Sequence, residues 1–302
     1  MTSQCTIVIG EFSVAQANAL SDGIFLSAVP PLTSWVGFAT ALGLRLGEQV
    51  TINGIAPVIG EAHLHRGHAK YVRYRAGQLS DVSSRGVQHP TIDDRRTSLN
   101  AYLLLDVTSE EEIQQTDIEQ ALIGLRLAGG VIQPVSGRER INIKAFEDDQ
   151  DYTGLEKALR YLPSYFYLLE DACYLVQLAK EQPDGLQGFD ILTAPMRRWA
   201  DEESKDELKF PERPDWLPLQ GYYRPMAVGY QLLEEPQQRL GVRESINGSA
   251  LHAFAEPVFT LIRFRTVASI RKTHSPRHDG SYFWLQGERA EHVLGACPMP
   301  LA

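Results

Sequence analysis

The sequence predicts an α+β chain whose first half is ferredoxin-like. Three observations carry that prediction. The run from Thr6 to Val14 alternates as a strand does, with Ile7 and Ile9 on one side and Val8 and Gly10 on the other. Two segments, Trp35 to Leu46 and Asp117 to Ala128, repeat their apolar residues at helical spacing. Read with the strands between and after them, the order is β, α, β, β, α, β, a pattern that many RNA-binding domains share.

The elements follow in order. Gln16 and Asn18 come straight after the first strand, at the kind of strand end that usually carries function. A loop with Asp22-Gly23 and Pro30-Pro31 leads to Ser34, placed to cap a helix starting at Trp35. Trp35, Phe38, Ala39, Leu42 and Leu46 line one face of that helix, and Trp35 is expected in the core. Asn53-Gly54 signals a turn. Pro57 to Tyr74 reads as one long strand or a hairpin, and Ala76 to Ser98 as a polar loop. Leu99 to Val107 is an apolar strand.

An acidic stretch from Ser109 leads into the second helix, Asp117 to Ala128, with Ile118, Ala121, Leu122 and Leu125 on one face. Gly129-Gly130 reads as its C-cap, or as a place where backbone can approach RNA closely. Val131 to Val135 and Ile141 to Phe146 are short strands around the turn Ser136-Gly137-Arg138. The expected organisation is a ferredoxin-like domain over 1–150 with a basic hairpin near 60–98. A helical insertion and linker follow over 151–218, with Leu155 to Lys180 helical but interrupted near Pro163. The part from 219 to 302 is β-rich and packs on the first domain, with strands at Gly221 to Arg224, Ala227 to Leu233 and Pro257 to Ile270.

Composition narrows the function classes. The chain has 302 residues, 43% apolar and 22% charged, as a globular protein has. Cys5, Cys173 and Cys297 are odd in number and far apart, which argues against a disulfide framework and for a reducing cytoplasm. No Lys or Arg precedes the first apolar run, so no secretory signal is expected. No run approaches the roughly 18 apolar residues of a membrane span, so no membrane partner is expected.

The net charge of −9 argues, as an average, against nucleic acid, but the charge is unevenly spread. His63 to Arg75 holds four Lys/Arg, three His and two Tyr with no acid, and Pro257 to His278 holds five Lys/Arg with no acid. Arg66, Lys70, Arg73 and Arg75 suit phosphate contacts, with Tyr71 and Tyr74 available to stack on bases. The bland alternative is a solvated edge strand whose charges protect the sheet edge. Arg73→Ala is then expected to weaken RNA binding and flatten its salt dependence.

His63, His65 and His68 alternate as ligands on a strand would, but no Cys or carboxylate completes a set, and ordinary polar histidines are the expectation. The chain lacks Gly-x-Ser-x-Gly, a phosphate loop, His-Glu-x-x-His and Cys-x-x-Cys. A metal-independent RNase would need an acid/base pair at a cleft. His65, Tyr71 and His274 are available, and nothing singles them out. No catalytic residue, metal or cofactor is expected.

Four stretches in one order carry a resemblance. They are Gln16-Ala-Asn-Ala-Leu-Ser21, Trp35-Val-Gly-Phe-Ala-Thr-Ala-Leu42, Leu125-Arg-Leu-Ala-Gly-Gly-Val-Ile132 and Trp216-Leu-Pro-Leu-Gln-Gly-Tyr222. With them the chain resembles the family forming the second subunit of the type I-F (Csy) CRISPR surveillance complex, a Cas-five-type RAMP protein. The match departs in one loop, where Ser21-Asp-Gly-Ile-Phe-Leu-Ser27 precedes Pro30-Pro-Leu-Thr33, consistent with a divergent branch.

The resemblance implies a non-catalytic RNA-binding scaffold. Such a subunit grips the 5′ handle of the CRISPR RNA and caps the filament of Cas-seven-type backbone subunits. It pairs with the large subunit and meets target DNA through the assembled complex. Carried over motif by motif, the RNA contacts are Gln16, Asn18, Gly129, Gly130 and the residues around Arg66 to Arg75, and Arg138 in the neighbouring turn joins them as a basic residue. The helical insertion would run from Asp151 to roughly Asp215. Three alternatives stay open: a minimal variant that reads the protospacer-adjacent motif on duplex DNA, a metal-independent RAMP endoribonuclease, and a protein-interaction scaffold that never touches RNA.

Overall fold

The opening alternation becomes a strand, β1 (Ser3–Asn18), in the computed structural model, longer at both ends than Thr6 to Val14. The structure describes residues 3–21, 25–26, 29–65, 96–172, 175, 181, 222–238, 251–272, 282–288 and 293–298. A two-strand ribbon, β2 (Leu20–Ser21) and β3 (Phe25–Leu26), leads to helix α1 (Leu32–Leu46). The helix starts three residues before the expected Trp35. Pro31, not Ser34, is its N-cap, no side chain caps it, and the Ser34 N–H donates to the Pro31 carbonyl at 2.9 Å. Burial overrides the capping signal: Leu32, Trp35, Val36, Phe38, Ala39 and Leu42 are all buried, Leu32 and Trp35 completely. Each such large side chain contributes about 1.5–3 kcal/mol, against about 1 kcal/mol for a cap.

Strands β4 (Val50–His65) and β5 (Arg96–Ser109) pair antiparallel from Val50↔Ser109 to His65↔Arg96. The expected turn at Asn53-Gly54 is instead a bulge inside β4, where the register shifts between Ile52 and Gly54. The Asn53 amide donates across it to the Thr108 hydroxyl at 2.8 Å. On its other edge β5 pairs antiparallel with β1, from Ser3↔Ser109 to Asn18↔Arg96. A strand flanked on both edges and covered on both faces must be apolar throughout, which explains the run Ala101 to Leu105.

Helix α2 (Gln115–Leu122) ends six residues before the expected Ala128. The remainder forms a hairpin, β6 (Arg126–Leu127) with β7 (Gly130–Pro134). Its two-residue turn is Ala128-Gly129, with φ of 49° and 78°. Positive φ at both central positions makes the primed turn that suits a twisted hairpin. Gly129 therefore belongs to a hairpin turn and Gly130 opens β7, and neither caps a helix. β7 and β8 (Ile143–Glu147) lie end to end on one edge of β1, against Phe12 to Ala15 and Cys5 to Ile9 respectively.

Helix α3 (Gly154–Tyr161) opens with a capping box between Thr153 and Glu156. The helical reading of Leu155 to Lys180 fails next: Tyr167–Asp171 is strand β9, set between β4 and the strand Ala255–Thr266. Its aromatic and apolar residues fit a pleated surface, and a waiting sheet edge settled a short run that periodicity left ambiguous. β10 (Tyr222–Leu232) and β11 (Ala255–Thr266) pair along their lengths. The strand read through Ile270 stops at Thr266, where the chain turns into a short helix, α4 (Val267–Lys272). β12 (Trp284–Glu288) and β13 (Val293–Pro298) complete the described elements.

The molecule is α+β with an antiparallel sheet. Among the described residues the main sheet has 11 strands, in the order β12-β13-β10-β11-β9-β4-β5-β1-β7-β6, with β8 also on β1. Trp284 pairs with Ile55, so β12 returns to β4 and closes a circuit through β9, β11, β10 and β13. One face carries α1 and α2 over Ile7, Ile9, Leu103 and Leu105; the other carries α3 and α4 over Val8, Tyr102, Leu104 and Val58. No helix among the described residues is long and apolar enough to cross a membrane.

Candidate nucleic-acid interface

The end of β1 is where chemistry gathers. A bulge between Val14 and Ala17 leaves Gln16 at φ 59°, in a region few side chains adopt. The kink keeps Ala17 and Ala19 buried while Gln16 and Asn18 stay exposed. The Gln16 N–H donates to the Ser98 hydroxyl at 3.4 Å, and the Arg96 guanidinium donates to the Gln16 carbonyl at 3.2 Å. His65 Nε2 lies 2.8 Å from the same Ser98 hydroxyl. On the other side the Asn18 N–H donates to the Ala128 carbonyl at 2.9 Å, and Arg126 donates to the Gly129 carbonyl at 3.2 Å.

Four expected residues thus converge: Gln16, Asn18, Gly129 and Gly130. Their roles differ. A Cβ on Gly129 would meet nothing within 4 Å, so this turn is open to a ligand. A Cβ on Gly130 would lie 2.8 Å from the Ala17 backbone and from Val14 Cγ1. The close approach that Gly130 permits in this structure is to β1. Arg138 stands apart, exposed on the turn between β7 and β8. Arg66, Lys70, Tyr71, Arg73 and Arg75 lie outside the described residues. The described part of β4 ends at His65, which pairs with Arg96 within the cluster.

Sequence reading missed His65 as a structural partner, and missed Arg96 and Ser98 altogether. Their signal was available only through register, because Arg96 faces both Asn18 and His65 across β5. Below the cluster the α3-side face of the sheet continues as a polar strip. Ser13, Glu61, His63, Ser98, Asn100 and Gln133 border a shallow depression of about 310 Å³. His63 pairs with Glu61 at 3.0 Å, both well exposed. Among the described residues no group of three or more His, Cys, Asp or Glu is placed to hold a metal.

Burial, with the Glu11 carboxylate nearby, pushes the Tyr102 hydroxyl up to about 12, against a smaller opposing pull from Arg138. Burial likewise raises the Cys5 thiol, with Glu147 and Asp106 adding to it. Tyr102 therefore stays a neutral hydroxyl, and Cys5 an unreactive thiol, near neutral pH.

Comparison with known families gives one match. A family described as CRISPR-associated protein (Cas_Csy2) matches residues 7–294. No curated protein matches the chain.

Proposed function

From the chain's place in the Cas_Csy2 family of CRISPR-associated proteins, to which it belongs and with which it shares a part in an antiviral CRISPR complex, we propose that it binds the 5′ handle of the CRISPR RNA as a non-catalytic subunit. In this reading it caps one end of the Cas-seven-type backbone filament, pairs with the large subunit of a type I-F complex and meets target DNA through the assembly. The order β1-α1-β4-β5-α2-β7, with β4-β5-β1-β7 side by side, supports a ferredoxin-like core. With α3 and α4 over one face and α1 and α2 over the other, the sheet centre has no room for RNA. Contact falls to its end.

One observation carries the reading. Asn18, Arg96, His65 and the open Ala128-Gly129 turn meet at the His65↔Arg96 pair, the last described pair of β4 and β5, and the basic residues 66–75 follow His65 in the sequence. Cations there would neutralise phosphates, while exposed amides and hydroxyls would read splayed bases.

The test is a gel-shift and cleavage assay over a salt series. The full chain, alone and with its large subunit, meets labelled repeat-derived RNA. A salt-sensitive shift without cleavage is the expected result. Cleavage that survives chelator would replace this reading with the RAMP endoribonuclease. Binding of duplex DNA bearing a protospacer-adjacent motif by the isolated chain would favour the minimal variant. No shift in either form would leave a protein-interaction scaffold.

A further inference from the structure

The turn after α3 exposes two tyrosines that the core does not need. Tyr165 is 71% exposed and Tyr161 38%, although Leu162 and Phe166 beside them are buried. Each ring is held from beneath. Tyr165 packs on Phe166 with centroids 5.1 Å apart, and Phe166 stands edge-on to Tyr102 at 5.3 Å. Tyr161 packs on Phe146 at 5.7 Å, and its hydroxyl accepts a hydrogen bond from the Asn142 amide.

A cation sits beside the first ring. Lys144 Nζ is 5.1 Å from the Tyr161 ring centre and 5.2 Å from that of Phe146. Lys144 is exposed and makes no ion pair among the described residues.

We infer that Tyr161 and Tyr165, with Lys144 beside them, form a stacking platform for an unpaired base of single-stranded RNA. The inference rests on the RNA-binding reading above and adds a second anchor to it. Preset aromatic rings with neighbouring cations are the chemistry of single-strand binding, since every base offers a π face and every linkage a phosphate. Position argues the same way. From Tyr102 to Arg96 is six residues of β5, about 20 Å, and the polar strip with Asn100 and Ser98 lies between. The polar strip begins at the β1 end and runs toward the platform's side of the sheet.

The experiment uses the full chain and labelled handle-bearing RNA. The double variant Tyr161→Ala/Tyr165→Ala is compared with Tyr161→Phe/Tyr165→Phe. The alanine pair is expected to lose about tenfold in affinity with an unchanged salt slope, because stacking releases no counterions. The phenylalanine pair keeps the rings and should bind as the parent does. Photocrosslinking of 4-thiouridine RNA should label the peptide carrying Tyr165. If the alanine pair unfolds, Tyr165→Ala alone is read, at a position exposed enough to tolerate it. Parental affinity in the alanine variants, with crosslinks elsewhere, would overturn the platform and leave the RNA reading standing. Retained RNA affinity with lost association to the large subunit would reassign the tyrosines to a protein contact. A parent chain that binds no RNA would sink both readings.

Discussion

The Asn18 backbone N–H donates to the Ala128 carbonyl at 2.9 Å, and this bond ties the end of β1 to the turn of the β6–β7 hairpin. It forms only because Gly130 lets the hairpin lie against Ala17. Gly130→Ala would drive a Cβ into backbone that cannot swing aside. The expected cost is about 1–3 kcal/mol by chemical denaturation, with faster hydrogen exchange at the Asn18 amide. Gly129→Asn, in open space and at a φ that Asn tolerates, should stay within about 0.5 kcal/mol.

Arg96 connects the hairpin base to the β1 bulge and brings a positive charge to the cluster. Arg96→Met should lower RNA affinity and reduce the slope of log affinity against log salt by about one. A variant with parental slope would take Arg96 out of the phosphate contacts.

Glu170 and Arg265 form a buried pair at 3.1 Å between β9 and β11, with Arg263 at 3.6 Å and the Tyr282 hydroxyl accepting from Arg265 at 3.0 Å. Glu170 is fully buried and Arg265 is 4% exposed. Removing Arg265 leaves the fully buried Glu170 carboxylate with the longer Arg263 contact as its ion pair, so Arg265→Met should cost about 3 kcal/mol. The double variant Glu170→Leu/Arg265→Met should lie nearer the parent, because the two fully buried charges leave together and the Arg263 charge that remains is partly exposed. Urea denaturation of all three proteins measures the difference.

Asp149 accepts from Lys157 Nζ at 2.7 Å, and from the N–H groups of Tyr152 at 2.7 Å and Asp151 at 2.9 Å. The Lys157 contact leads in lowering its carboxyl to about 2, below the ordinary 3.8. A carboxyl held low in the folded state favours folding above its ordinary value. That contribution disappears as pH falls from about 4 through about 2. Carboxyl NMR titration should find Asp149 protonating near the lower value. In Lys157→Met it should move back up toward the ordinary one.

Much of the fold was legible along the chain because periodicity reports burial directly. The alternation over Thr6 to Val14, the helical stripe from Trp35 to Leu42 and the two-faced apolar run of β5 each name their own element. Where local signals were weak or doubled, partners far away in sequence chose. Burying Leu32 moved the helix start from Ser34 to Pro31. The open edges of β4 and β11 made Tyr167–Asp171 a strand in a stretch that reads as helix. The place of Gly129-Gly130 followed from pairing with β1, which no local pattern encodes.

The site divides the same way. Gln16, Asn18 and the glycine turn could be picked out because their residue types and order are themselves a pattern. Arg96, Ser98 and the ringed surface at Tyr161 and Tyr165 could not, since each acquires meaning only beside residues tens of positions away. Residue type and spacing are properties of the chain, but register and cross-sheet neighbours exist only once the strands have paired.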